Sequence, residues 1–209
     1  MASKNNIENK RVLTHEFRVS FPNVITPKGF EDQEPKYSLV MLFDKKTDLS
    51  KPAMNKKGQA LSASMRGAAL AAASEKWGND QKKWPKNLKM PFRDGSERAD
   101  TAGYDGTIFV TASSKIQPGL VNQQRQPILN EKDFYAGCYA RAEVIAFAYD
   151  KAGNKGVSFS LQNIQKTRDG DAFSGRRNAE DVFDAVEDLD GESSDDSYEE
   201  DQDGASLGF

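Results

Sequence analysis

The sequence of 209 residues contains few of the side chains on which most enzymes and disulfide-rich proteins depend. Cys138 is the only cysteine and His15 is the only histidine. A disulfide framework, a zinc site built from cysteine and histidine, and a cysteine–histidine dyad all need more than this. Residues 1–179 also offer no compact acidic motif that could hold a catalytic metal ion. We therefore expect a protein that is not an enzyme and needs no cofactor or metal.

Long apolar runs are missing as well. No stretch approaches the roughly 18 to 20 consecutive apolar residues that cross a bilayer, and residues 1–6 lack the apolar segment of a signal peptide. Hydrophobic residues make up 37% of the chain and charged residues 29%, a balance that leaves part of the chain solvated. We expect a soluble, cytoplasmic protein without membrane contact.

Charge is distributed very unevenly along the chain. Residues 180–209 contain thirteen of the 32 acidic residues and no lysine or arginine. The other 19 acids and all 29 basic residues lie in residues 1–179, which gives that part a net charge of +10. A basic body favours a polyanionic partner, and a tethered acidic tail can compete for the same surface. The alternative is that the tail serves solubility and the lysines only solvate a surface.

Alternating apolar and polar residues predict five strands, at residues 11–21, 37–43, 107–112, 134–149 and 157–164. In the first strand, alternation places Phe17, Val19 and Phe21 on the core face. An apolar stripe predicts one substantial helix over residues 52–76, terminated by Gly78. Five strands with one helix fit a mainly β fold, either a five-stranded antiparallel barrel of the oligonucleotide- and oligosaccharide-binding (OB) type or a β-sandwich. An OB barrel can bind single strands by stacking bases on aromatic rings beside cationic groups.

The strand over residues 134–149 is the best candidate for such a binding face. Its even-numbered residues are apolar and should point inward, which turns Tyr135, Tyr139 and Arg141 outward together. Two rings and a guanidinium on one surface can stack bases and contact a phosphate. Alternatively, the tyrosines cover a second core layer beneath the helix. Gly137 can mark a bulge that changes the facing of the residues before it.

Two further features carry aromatic candidates. Phe109 lies among hydroxyl side chains on the polar face of its strand and needs a partner, which can be a base, a protein surface or the helix. The segment over residues 77–98 mixes rings with cations, as expected of a mobile clamp over a strand; alternatively, its tryptophans anchor a long loop and only its lysines are exposed. The candidate binding residues of this segment are Trp77, Trp84, Phe92, Lys82, Lys83, Lys86, Lys89, Arg93 and Arg98.

The residues 134–142, followed by residues 155–166, resemble a family of bacteriophage single-stranded DNA-binding proteins with an OB fold. The likeness extends from about residue 10 to residue 175, and the final Phe209 after an acidic run resembles the terminal aromatic of several phage replication proteins. The resemblance implies a non-enzymatic protein that coats single-stranded DNA during phage replication or recombination, inside the infected host cell.

The expected domain organisation is an OB-type domain over residues 1–177 and a disordered acidic tail over residues 178–209. The resemblance implies that the tail contacts phage or host replication proteins, through Phe209, Asp201, Asp203, Glu199 and Glu200. The rival interpretation from another class is a structural or assembly protein of a phage, in which a β-sandwich packs into a larger particle and the acidic tail keeps it soluble.

Overall fold

The computed structural model describes residues 7–29, 34–151 and 153–173. Within these ranges the protein is mainly β, with eight strands in one sheet and one α-helix. The strands are β1 (Arg11–Leu13), β2 (Phe17–Lys28), β3 (Lys36–Asp44), β4 (Arg93–Asp94), β5 (Thr107–Ser114), β6 (Gly119–Val121), β7 (Tyr139–Lys151) and β8 (Asn154–Arg168), and the helix is α1 (Met65–Trp77). No helix in the described part is long and apolar enough to cross a membrane.

The five long strands pair in a closed cycle. β7 pairs with β2, β2 with β3, β3 with β5, β5 with β8, and β8 again with β7. The β5–β8 pairing is parallel and the other four are antiparallel, so the expectation of a wholly antiparallel arrangement is wrong at one position. The short strands β1, β4 and β6 pair with β7, β5 and β8. Six of the eight strands overlap the five predicted ones, because β1 and the start of β2 both lie in the first predicted strand.

The first predicted strand is interrupted. The chain leaves the ladder at residues 14–16, where Thr14 is fully buried and its hydroxyl accepts a hydrogen bond from the Ala142 backbone N–H at 3.0 Å. Beyond the break, Phe17 and Val19 enter the core as the alternation predicts. Phe21 does not, because its backbone has φ 46° and the β2–β3 register shifts between Ser20 and Asn23.

Helix α1 is shorter than the sequence pattern predicts. Ser64 is its N-cap, with Oγ accepting a hydrogen bond from the Gly67 N–H at 3.1 Å, and Gly78 ends it with φ 84° as expected. Residues 52–64 are not helical, because Asn55 accepts backbone hydrogen bonds across a turn that contains Gly58 at φ 74°. The buried face of α1, mostly alanine, packs against β7, β8 and β1.

Two apolar clusters form on the two faces of the sheet. The larger one holds α1 and the inward residues of all five long strands, including Met41, Val144 and Phe159. The smaller one consists of Val40, Leu42, Tyr104 and Phe109, with Phe173 packed against it. The turn over residues 95–106 therefore covers the outer face of β3 and β5 with the Tyr104 ring.

Candidate nucleic-acid interface

A groove of about 740 Å³, here called the aromatic groove, runs along the second half of β2. Its walls come from four places in the chain: β2, the turn at residues 100–102, the loop at residues 131–136, and Phe173. The lining residues are Ser20, Phe21, Pro22, Asn23, Thr26, Lys28, Asp100, Thr101, Ala102, Glu131, Phe134, Tyr135, Ala136 and Phe173. Three rings that are not fully buried, those of Phe21, Tyr135 and Phe173, share this concave surface.

Phe21 is the most open of these rings, with 51% of its surface exposed. Strict alternation places it in the core, but the positive φ turns the side chain to the other face of β2. A phenylalanine with positive φ is uncommon, and such strain often accompanies a functional surface. Sequence reasoning missed Phe21 as a binding candidate, although Pro22 directly after it already signals that the strand is disturbed.

Tyr135 lies on the wall of the aromatic groove and is half-buried against the main core. Its hydroxyl lies 2.9 Å from Asp169 Oδ1 and 3.0 Å from the Gly170 carbonyl oxygen. Burial and the nearby Asp169 carboxylate raise the pKa of the Tyr135 phenol above its ordinary value of 10.0. Lys166 Nζ lies 5.1 Å from the ring centroid, so a cation stands beside this ring.

Phe173 closes the groove at its other side. Its backbone N–H donates to the Ala136 carbonyl oxygen at 3.0 Å, and the Cζ atom of Arg18 lies 4.5 Å from its ring centroid. Arg18 is itself fixed by hydrogen bonds to the carbonyl oxygens of Gly137 and Asp171, at 3.1 and 2.7 Å. Neither Arg18 nor Phe173 is a candidate from the sequence, because nothing in the linear pattern brings residue 18 beside residue 173.

Tyr139 differs from the expected free ring. The guanidinium of Arg168 covers it at 3.2 Å from Cζ to the ring centroid, and Arg18 lies 5.6 Å away. Arg168 also donates two hydrogen bonds to Glu16 Oε2, at 3.1 and 3.2 Å. Tyr139 is thus already stacked on a cation, and a base can reach that ring face only by displacing Arg168.

Arg141 does not share an open surface with the two tyrosines. It lies on β7 beside the break at residues 14–16 and is half-buried. Its Nε atom is buried and has no hydrogen-bond partner among the described residues. Burial and the positive charge of Arg141 lower the pKa of His15 below its ordinary value of 6.5. The expected group of two rings and one guanidinium is therefore divided between separate surroundings.

Phe109 finds its partner within the protein. Its ring is 1% exposed and packs edge-to-face on Tyr104, with centroids 5.2 Å apart. The guanidinium Cζ atoms of Arg93 and Arg98 lie 4.8 and 5.3 Å from its centroid. The expectation that Phe109 is a DNA-contacting ring does not fit this packing, because Tyr104 and the two arginines occupy its surroundings.

The segment over residues 77–92 is anchored to the fold, as the second of the two interpretations predicts. Trp77 and Trp84 pack partly buried against the main core, and Trp84 Nε1 donates to the Gly78 carbonyl oxygen at 2.7 Å. Phe92 packs edge-to-face on Phe159, and Arg66 lies 4.8 Å above its ring. The lysines of the segment are exposed, namely Lys82, Lys83, Lys86 and Lys89.

These lysines are not equally available. Lys83 approaches Asp80 at 3.7 Å, and Lys89 donates to Asn154 Oδ1 at 2.7 Å while its backbone hydrogen-bonds to β8. Among the described residues, neither Lys82 nor Lys86 has an ion-pair partner. The segment therefore packs on the fold through its rings and presents its lysines to solvent.

A metal site or a reactive thiol would require particular side chains in the described part of the chain. It contains no cluster of three or more histidine, cysteine or acidic residues that could hold a metal ion. Cys138 is fully buried, and this burial raises the pKa of its thiol to about 11. The predicted docking residues of the tail, Phe209, Asp201, Asp203, Glu199 and Glu200, lie outside the described residues.

Comparisons with known proteins find relatives among phage proteins. A family model described as "Enterobacter phage Enc34, ssDNA-binding protein" matches residues 10–197. A protein called p50 of Acyrthosiphon pisum secondary endosymbiont phage 1 is 30% identical over 174 residues, which cover 79% of this chain and 87% of that protein.

Solved structures show the same fold at lower identity. The single-stranded DNA-binding protein of bacteriophage Enc34 in complex with single-stranded DNA matches with a TM-score of 0.59 and 19% identity, covering 80% of this chain and 95% of that one. The single-stranded DNA-binding protein gp2.5 of bacteriophage T7 matches with a TM-score of 0.54 and 13% identity, covering 88% and 99%.

Proposed function

We propose that this chain, which belongs to the family of the Enterobacter phage Enc34 single-stranded DNA-binding protein, binds and coats single-stranded DNA. It would do so during phage DNA replication or recombination. It acts without catalysis, in the cytoplasm of the infected host cell. The observation that carries this proposal is the exposed Phe21 ring on the same groove as Tyr135 and Phe173.

The aromatic groove has the chemistry that unpaired bases require. Each base has a π-face, and stacking on an aromatic side chain is worth about 1–3 kcal/mol per base regardless of sequence. Two of the three groove rings stand beside a cation, Phe173 beside Arg18 and Tyr135 beside Lys166. Lys166 is already paired with Asp169 at 2.7 Å, whereas Arg18 donates only to carbonyl oxygens among the described residues. We propose that a strand in the groove places its bases on the rings with Arg18 close to its phosphates.

Cations near the groove and on the anchored segment extend the electrostatic attraction. Lys28 lies in the groove wall, and Lys82 and Lys86 are exposed without an ion pair among the described residues. Each phosphate that such a cation neutralises releases counterions, which favours binding at low salt. We propose that bases occupy the aromatic groove and that these lysines contact flanking nucleotides.

We further propose that the closed cycle of β2, β3, β5, β8 and β7 is an OB-type barrel. In chain order its strands pair first with second, second with third, third with fifth, fifth with fourth, and fourth with first. All described strands belong to one sheet rather than to the two sheets of a sandwich, so the rival assembly-protein interpretation gains no support.

The acidic tail receives two roles in this proposal. We propose a domain over residues 1–177 that binds DNA, and a tail over residues 178–209 whose thirteen acids compete with DNA for the basic surface. Phe209 and the acids before it, at positions 199–201 and 203, would dock phage or host replication proteins. Deleting Phe209 alone should then impair recruitment of such a protein more than it changes DNA affinity.

The decisive experiment compares single and double strands. Fluorescence anisotropy with an unstructured thymidine oligonucleotide and a duplex of equal length, at about 0.15 M salt, should give much tighter binding to the single strand, because stacked rings need unpaired bases. Phe21→Ala should reduce the difference in affinity between the single strand and the duplex. Equal affinity for both nucleic acids would indicate a general polycation surface and would contradict the stacking mechanism.

A further inference from the structure

Two arginines of one turn share the same aromatic support. Arg93 and Arg98 both lie over the Phe109 ring, at 4.8 and 5.3 Å, and Arg98 also lies 5.7 Å from the Tyr104 centroid. The Phe109 and Tyr104 rings are almost fully buried, whereas both guanidinium-bearing side chains are exposed. The rings thus form a fixed base on which exposed cations rest, an arrangement that favours guanidinium over ammonium.

The two arginines differ in their charge partners. Arg93 donates two hydrogen bonds to Glu97 Oε2, from Nε at 2.9 Å and from Nη2 at 2.5 Å, so its charge is already paired. Arg98 has no carboxylate within ion-pair distance among the described residues. A guanidinium that is held in place but not neutralised is better suited to bind an external anion than one that is paired.

The backbone that carries Arg98 is rigidly built. Asp94 caps the turn through a hydrogen bond from the Ser96 N–H at 2.9 Å, and Glu97 closes the capping box. The Ser96 hydrogen bond, with help from Lys45, lowers the pKa of Asp94 to about 2. A Cβ at Gly95 would lie 1.8 Å from the Tyr104 carbonyl oxygen, so only glycine permits this close approach.

Arg98 is also close to the aromatic groove along the chain. Asp100, Thr101 and Ala102 line the groove wall, and the Thr101 N–H donates to the Arg98 carbonyl oxygen at 2.9 Å. A strand that leaves the groove past this turn would meet the Arg98 guanidinium. The same path would meet no net charge at Arg93, because Glu97 neutralises it.

We infer that Arg98 is a phosphate contact for the bound strand and that Phe109 and Tyr104 are its positioning residues, while Arg93 belongs to the structure of the turn. This inference rests on the proposed function. It also gives Phe109 a role in binding that needs no base to touch its ring.

The test measures the association constant K for a thymidine oligonucleotide at several salt concentrations. Variants are compared by the slope of log K against the logarithm of the salt concentration. The slope is negative, and each phosphate contact to a single strand contributes about −0.7 to it. Arg98→Gln should make the slope shallower by about 0.7 and weaken binding roughly tenfold at low salt. The matched control, Arg93→Gln with Glu97→Gln, removes a paired charge of each sign. A glutamine amide oxygen can accept the same hydrogen bond from the Asp94 N–H, so the capping box is kept and the slope should be unchanged.

The positioning role is tested by coupling. In the otherwise unmodified protein, Phe109→Leu should weaken binding of the oligonucleotide and make the salt slope shallower. In the Arg98→Gln background it should change neither the affinity nor the slope. Phe17→Leu replaces another buried phenylalanine, which packs on Phe43 with centroids 5.6 Å apart, and should lower only the melting temperature.

The outcomes separate the inference from the function on which it rests. An Arg98→Gln slope equal to that of the unmodified protein, or a Phe109→Leu loss that persists in the Arg98→Gln background, would overturn the inference. If Phe109→Leu fails to fold, the comparison of Arg98→Gln with its paired control decides alone. No binding of single strands by the unmodified protein would instead contradict the proposed function.

Discussion

The guanidinium of Arg168 lies over the ring of Tyr139, with its Cζ atom 3.2 Å from the ring centroid. Arg168 is held there by Glu16, which accepts two hydrogen bonds from it. The stack joins the end of β8 to the start of β7 and to the break before β2. It makes Tyr139 part of the structure of this corner, whereas the Phe21 ring on the aromatic groove is 51% exposed.

The first prediction therefore separates these two rings. Phe21→Ala should weaken binding of a thymidine oligonucleotide by about 1–3 kcal/mol and leave the melting temperature nearly unchanged, because an exposed ring contributes stacking rather than core packing. Tyr139→Ala should lower the melting temperature and change the affinity per folded molecule less. Anisotropy titration and thermal unfolding measure the two effects.

Phe147 provides the matched control for Phe21. It is 41% exposed on β7 and does not line the aromatic groove. Phe147→Ala should leave the affinity unchanged. If the two phenylalanine variants lose affinity equally, the groove is not the binding surface and the loss reflects a general effect of removing exposed rings.

The sequence predicts the large features of the fold because they follow from local pattern. The five long strands, the buried even-numbered residues from Cys138 to Ala146 and the Gly78 helix end all follow from periodicity and turn chemistry. The site could not be predicted in this way. Phe21 leaves the core face through a backbone turn, and Arg168 meets Tyr139 only because β7 and β8 pair there in that register.

The same limit applies to Phe109, for which the sequence left the partner open. Alternation correctly places it on the face of β5 opposite Val110, which belongs to the main core. Alternation contains no information about the turn that brings Tyr104 over that face. An apolar ring on a polar face was therefore predicted to contact a partner, and the partner is a loop of the same chain.

The second prediction concerns pH. Burial would raise the pKa of Glu16, but hydrogen bonds from Thr167 and Arg168 outweigh it and hold the pKa below its ordinary value of 4.5. A carboxylate with a lowered folded-state pKa stabilises the protein above its unfolded-state value, and this stabilisation is lost as the pH falls through the folded value. The free energy of unfolding should thus fall more steeply below about pH 4.5 in the unmodified protein than in Glu16→Gln.

Urea unfolding at a series of pH values measures this difference. Glu131→Gln is the control, since Glu131 is exposed and has no ion pair among the described residues. Its acid dependence should match that of the unmodified protein. If the free energy of unfolding of Glu16→Gln depends on pH as it does in the unmodified protein and in Glu131→Gln, the Glu16–Arg168 contact does not stabilise the fold.

The third prediction concerns the single cysteine. Burial raises the pKa of Cys138 to about 11, and its side chain is inaccessible, so the thiol should not react with a colorimetric thiol reagent at pH 8. Guanidinium chloride should release one reactive thiol per chain. Fast labelling of Cys138 in the folded protein would show that the core opens next to the start of β7.

The last prediction concerns the acidic tail and rests on the distribution of charge along the chain. Thirteen acids are tethered to residues 1–179, which carry a net charge of +10, and tethering alone can give such acids an effective concentration of about millimolar for a weak contact. The proposed competition with DNA rests on this. Removing residues 180–209 should tighten binding of a thymidine oligonucleotide, most strongly at about 20 mM salt and much less at about 200 mM. A full-length variant with its thirteen tail acids changed to the corresponding amides separates charge from length, and it should bind like the truncated protein. If all three proteins bind identically at both salt concentrations, the tail does not compete with DNA.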